Sequence, residues 1–169
     1  ELGFSGYAMP QTVLLSHDLA FRSRPRPEAG FSQAYRRAVH ETAHQWFGHM
    51  IGHGLIEERG FLVEPLAKYA ELVMIEQRFG KAAMRALVQY EWDRYRQGRL
   101  DQDLSIAPLI DADDGEDLYS RATLVFACLR QEVGDKSILR ALQWANSQSS
   151  KSGRPMRSLD FVNALTATS

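Results

Sequence analysis

Two histidines four residues apart, with a glutamate between them, make the segment His40-Glu41-Thr42-Ala43-His44. On an α-helix this spacing stacks both imidazoles on one face, one ~5.4 Å turn apart, so their nitrogens can be aimed at a single ion. Glu41 is rotated ~100° from His40 and flanks such an ion rather than binding it. A carboxylate in that position can take a proton from metal-activated water and pass it to a leaving amine. The pattern predicts one zinc ion (Zn2+) per chain, with His40 and His44 as ligands and Glu41 as general base of a hydrolytic reaction on a peptide substrate.

The third ligand decides the class of site. A metzincin would carry another histidine six residues after His44, but that position is Met50, and Phe47 stands where the metzincin glycine belongs. His49 and His53 form a second four-residue pair beyond the end of the apolar pattern and are expected to be solvated or supporting groups. What remains is a carboxylate from the next helix. Glu64, at its start, is the best candidate, with Glu57 and Glu58 in the preceding loop as the fallback.

The elements that must position these groups follow from periodicity and punctuation. Thr12-Val13-Leu14-Leu15 reads as a strand, with a partner before Pro10. Arg22 to Gly30, with Pro25 and Pro27, is a loop, and Ser32 is the N-cap of a helix from Gln33 to about Met50. Ala34, Ala38, Val39, Ala43, Trp46, Phe47 and Met50 recur along that helix at roughly helical spacing, and the metal motif lies in its middle. A second helix starts near Glu64, with Pro65 in its first turn, and ends at Gly80. A third spans Lys81 to Gln97 with Met84, Leu87, Val88 and Tyr95 inward, and a loop follows to Gly115. Asp117 opens a fourth helix reaching Val133, and Lys136 to Asn146 makes a fifth. Ser147 to Pro155 reads as a polar linker, and Ser158 starts a short terminal helix. The expected class is mainly α with a small N-terminal β element: strand and loop over 1–30, helices over 31–169, in a single domain cut from a longer polypeptide.

Composition sets the outer bounds. A chain of 169 residues with 44% hydrophobic and 24% charged residues suits one ordinary hydrophobic core. The net charge of -1, with basic residues spread among acidic ones, gives no nucleic-acid footprint. No apolar run approaches the ~20 residues of a membrane span, so no membrane contact is expected of this stretch. Cys128, in an apolar run, is expected to be a small buried hydrophobe. Tyr90, Trp92 and Tyr95 are expected in the core. Asp111, Asp113, Asp114, Glu116 and Asp117 crowd one loop, which reads as a solvated acidic loop rather than a calcium site.

With its tail Gln45-Trp46-Phe47-Gly48, the His40 to His44 motif resembles the zinc-binding helix of the aminopeptidase N-like gluzincin metallopeptidases. Glu64 to Tyr69 is similar to that family's second helix, and Tyr119-Ser120-Arg121-Ala122-Thr123-Leu124 to the helix whose tyrosine steadies the oxyanion. The resemblance implies the helical half of a thermolysin-like catalytic fold, with His40, His44 and Glu64 as ligands, Glu41 as base and Tyr119 as oxyanion donor. Nineteen residues separate His44 from Glu64, one more than is usual, and Pro65 replaces a glycine. That variant resembles a bacterial subgroup whose peptidase domain is attached to transporter-like membrane segments. Gly6-Tyr7-Ala8-Met9-Pro10-Gln11 occupies the place of a strand whose glutamate binds the substrate amine, and no glutamate is found there. The resemblance thus implies a peptide hydrolase without implying exopeptidase specificity. The rival expectation is a catalytically silent zinc- or peptide-binding module that regulates a membrane transport assembly.

Overall fold

A computed structural model describes residues 5–22, 30–51, 60–100 and 107–168. The chain starts with a hairpin: β1 (Gly6–Met9) pairs antiparallel with β2 (Thr12–Leu15), Gly6 opposite Leu15 and Met9 opposite Thr12. Pro10 and Gln11 make the turn. The pyrrolidine ring fixes the first position and Gln11 takes a positive φ of 62°, the combination a type II turn requires. A π-helical turn, Asp18–Arg22, follows.

Among the described residues six α-helices follow, α1 (Gln33–Ala43), α2 (Glu64–Phe79), α3 (Lys81–Arg99), α4 (Ala122–Glu132), α5 (Gly134–Ser152) and α6 (Ser158–Thr168), with shorter helical turns between α3 and α4. The class is mainly helical, as expected from the sequence. Ser32 caps α1 by accepting from the Tyr35 amide at 3.2 Å, and Pro65 sits in the first turn of α2, where no partner for its nitrogen is needed. In packing order α1 lies on α2, α2 on α3 and α4, and α5 on α6. Leu62, Leu66, Leu72, Ile75, Leu87, Phe126, Ile138 and Phe161 fill the space between them, with Phe61, Tyr69, Phe126 and Phe161 in ring contact at 5.2–6.1 Å. Among the described residues no helix is long and apolar enough to cross a membrane.

Several sequence expectations are corrected. The first helix stops at Ala43 instead of reaching Met50. Gln45 and Trp46 bond three residues back, the Phe47 carbonyl accepts from His44 Nδ1, and Gly48 at φ 111° turns the chain out of the helix. Trp46 and Met50 are therefore exposed. The supposed linker after Asn146 is helical to Ser152, because a polar surface does not prevent α5 from continuing until Gly153 adopts a left-handed φ of 68°. Cys128 is exposed, since α4 turns Thr123, Phe126 and Ala127 inward and Cys128 falls on the opposite face. Tyr90 and Trp92 are exposed too, because α3 buries Ala83, Leu87 and Glu91, four residues apart. The acidic loop is only partly solvated. Asp114 and Asp117 are tied to Arg99, and Asp117 also to Arg121 at 2.8 Å. His53, Glu57 and Glu58 lie outside the described residues.

Candidate metal centre

Helix α1 delivers His40 and His44 from consecutive turns, with His44 at the C-cap but still in helical conformation (φ -63°, ψ -14°). Helix α2 delivers Glu64 from its first position. The three side chains converge: His40 Nε2 is 3.0 Å from Glu64 Oε2, His44 Nε2 is 3.1 Å from His40 Nε2, and His44 Nε2 is 3.6 Å from Glu64 Oε2. Both histidines are buried. This group can hold a metal ion, and it is the one such cluster of histidine, cysteine and carboxylate donors among the described residues.

The partners of the opposite ring nitrogens explain why both Nε2 atoms face inward. His44 Nδ1 donates to the Phe47 carbonyl at 2.9 Å. His40 Nδ1 approaches Glu71 Oε1 to 2.8 Å, at an angle short of a regular hydrogen bond. Neutral rings protonated at Nδ1 would present lone pairs to the Glu64 carboxylate, whereas a ring protonated at Nε2 donates to it. Three acceptors so close repel one another unless a proton or a cation sits between them. Burial works against the ionised form of Glu64, but hydrogen bonding with His40 and His44 prevails and holds its carboxyl well below the usual range. In turn burial works against protonation of His44, and Glu64 draws its pKa upward. A proton shared with Glu64 thus occupies the place that a cation would take, and an ion bound there would have to displace it.

Glu41 and Tyr119 flank the cluster. Glu41 lies on the α1 wall of a cavity of about 540 Å³ that also takes in His40, His44, Glu64 and Tyr119. Strand β1 crosses directly over it: a β-carbon at Gly6 would lie 2.5 Å from Glu41 Oε1, so any other residue there would have to displace the Glu41 carboxylate. Gln45 fixes the hairpin from the motif side, accepting from the Gln11 amide at 2.7 Å and donating to the Met9 carbonyl at 2.9 Å. Tyr119 lies on a π-helical turn, Glu116–Arg121, that leads into α4 where a regular first turn was expected. The Ala122 amide reaches the Asp117 carbonyl five residues back. Its ring stacks on His40 at 5.8 Å with 26° between planes. Burial, then the Glu64 charge, push the Tyr119 phenol up, so it stays a proton donor through the neutral range.

Sequence reasoning missed what lies beneath. Arg36, Lys68, Glu71 and Glu91, from α1, α2 and α3, are buried together directly behind His40. Lys68 Nζ bridges Glu71 at 2.8 Å and Glu91 at 2.7 Å, Arg36 pairs with both carboxylates, and Ser120 donates to Glu91 at 2.9 Å. Burial opposes ionisation of Glu71 and Glu91, and Lys68 followed by Arg36 outweighs it, lowering both. One network therefore touches His40 through Glu71 and the turn that carries Tyr119 through Ser120. His49, expected to be solvated or supporting, lines the same cavity.

Compared with family models, with curated proteins and with solved structures, the chain matches none of them.

Proposed function

We propose that the chain is a zinc-dependent peptide hydrolase built as the helical half of a thermolysin-like, gluzincin-type catalytic domain. The observation that carries this reading is the convergence of His40 Nε2, His44 Nε2 and Glu64 Oε2, with Glu41 and Tyr119 on the walls of the same cavity. A tetrahedral zinc centre with bonds of ~2.0–2.2 Å sets its ligands ~3.3–3.5 Å apart. The three separations of 3.0, 3.1 and 3.6 Å bracket that edge. Two imidazoles and one carboxylate, with further cavity beyond them, suit a catalytic site better than a closed structural one, which takes four protein ligands.

Zinc, when bound, would supply Lewis acidity toward a carbonyl and toward water. The chain's own groups do the remainder. Glu41, one residue past the first ligand, accepts the proton that water gives up and returns it to the departing amine. Tyr119, held protonated, offers its phenol to the charge that develops on the carbonyl oxygen, an interaction worth ~2.7–4 kcal/mol in comparable sites. Strand β1 has β2 on one side and no other strand among the described residues, and it lines the cavity, so an extended peptide can lie along it.

The test compares the protein with its Glu41→Gln variant for zinc content and cleavage of a broad peptide library. Equal stoichiometric zinc in both, with a loss of turnover of about 10²- to 10⁴-fold in the variant, is the expected outcome. Equal zinc with no cleavage by either protein would instead favour the silent module.

A further inference from the structure

Arg37 is the one lysine or arginine among the described residues lining the cavity. It precedes Glu41 by one turn of α1, and among the described residues it has a single hydrogen bond, Nη1 to Glu41 Oε1 at 3.4 Å, long for a charge-assisted pair. Its neighbour in sequence has a different fate. Arg36 is buried between Glu71 and Glu91, whereas the Arg37 side chain is 18% exposed and belongs to the cavity wall. The Arg37 charge also reaches Tyr119, where it opposes the upward push of burial and Glu64 on the phenol. It therefore stands near both flanking groups, between the α1 wall and the π turn.

A guanidinium offers five N–H donors in a planar fork that matches a carboxylate two bonds at a time. One long contact to Glu41 uses a small part of that capacity. We propose that Arg37 is an anion-binding subsite of the cleft, and that the substrates are peptides presenting a carboxylate beside the bond to be cleaved. That carboxylate is either the peptide's own C-terminus or an aspartate or glutamate side chain. A free amine placed there meets a like charge, so the α1 wall selects against an N-terminal ammonium while it selects for an acid. The cleavage part of this inference rests on the hydrolase reading; the binding part does not.

The bland role for Arg37 is to neutralise Glu41 alone, and the two roles separate by experiment. Zinc-loaded protein and its Arg37→Met and Arg37→Lys variants are titrated calorimetrically with N-acetylated dipeptides as free acids and as amides. The same pairs are assayed for hydrolysis, together with internal peptides that differ only by Asp for Asn or Glu for Gln. Binding and cleavage are expected to favour the acid by about 10- to 100-fold, the size of one charge-assisted contact. Arg37→Met brings that ratio to near one, and Arg37→Lys retains part of it. Whichever pair carries the preference, terminal or internal, identifies the source of the carboxylate. Equal losses on acid and amide in Arg37→Met, or no acid preference in the unaltered protein, would overturn the subsite while leaving the hydrolase standing. An Arg37-dependent preference in binding with no cleavage of any peptide supports the subsite and removes the hydrolase.

Discussion

Glu71 does for His40 what no neighbour in the motif can do: it fixes which ring nitrogen faces the site. Its carboxylate lies 2.8 Å from Nδ1, on the side of the ring away from the site, and so favours Nε2 as the ligand atom. Glu71→Gln keeps the volume and removes the charge. It is expected to weaken zinc affinity by ~10- to 100-fold, the usual effect of losing such a partner, in a competition titration against a chromophoric chelator. Unchanged affinity would mean that packing alone orients His40. The legibility of the two glutamates differs for a physical reason. His40, Glu41 and His44 are neighbours on one helix, so spacing alone places them together, and Glu64 follows from the start of the next helix. Glu71 announces itself only by standing seven residues, two turns, after Glu64 on the same face of α2. A charged residue in a periodic pattern is otherwise read as facing water. Gly6 gave no signal, because its contact with Glu41 spans thirty-five positions and involves the absence of a side chain.

Among the elements, helix starts were easier to read than helix ends. Ser32 and Pro65 have fixed local chemistry, and both lie where expected. The end of α1 depends on a bond from the His44 ring to the Phe47 carbonyl, which no periodicity contains. The junction of α4 and α5 is likewise held by side chains from a third element. Arg130 of α4 pairs with Asp135 of α5 at 2.7 Å and with Glu76 of α2, and Tyr69 of α2 donates to Asp135 at 3.0 Å. Hydrogen bonding from Arg130 lowers the Asp135 pKa against partial burial. A carboxyl depressed in the folded state adds stability above its unfolded pKa of ~3.9 and loses it as pH falls through the folded value. Asp135→Asn should therefore lower the melting temperature at pH 6 to 7, with the gap to the unaltered protein closing below about pH 4. A gap independent of pH would assign the effect to packing instead.

For the whole molecule, the unusual feature is a charged centre where three helices meet. Leucines and phenylalanines fill the α2–α4–α5–α6 side, as hydrophobic patterning requires, but α1, α2 and α3 face one another through Arg36, Lys68, Glu71 and Glu91. Apolar periodicity marked the helices of the described residues, yet not this interface, because a charged residue in a periodic pattern reads as surface. Two cations and two anions balance only as a set. Lys68→Met leaves two buried carboxylates with less compensation and is expected to cost about 3–5 kcal/mol in denaturant unfolding. Combining it with Glu91→Gln should recover a large part of that loss, a non-additivity that separate, independent sites do not show. Strictly additive costs would mean that the four charges act one by one.

The π turn before α4 has a consequence for chain length. Such a turn holds one residue more than an α-helix would between the same two planes. Losing Ser120 or Arg121 would leave the inward face of α4 intact while swinging Tyr119 by ~100° about the helix axis, off the His40 ring. Insertions and deletions at this turn would decouple tyrosine identity from tyrosine placement. Among sequences sharing this architecture, the spacing from the turn to Phe126 marks an intact site better than the presence of the tyrosine itself.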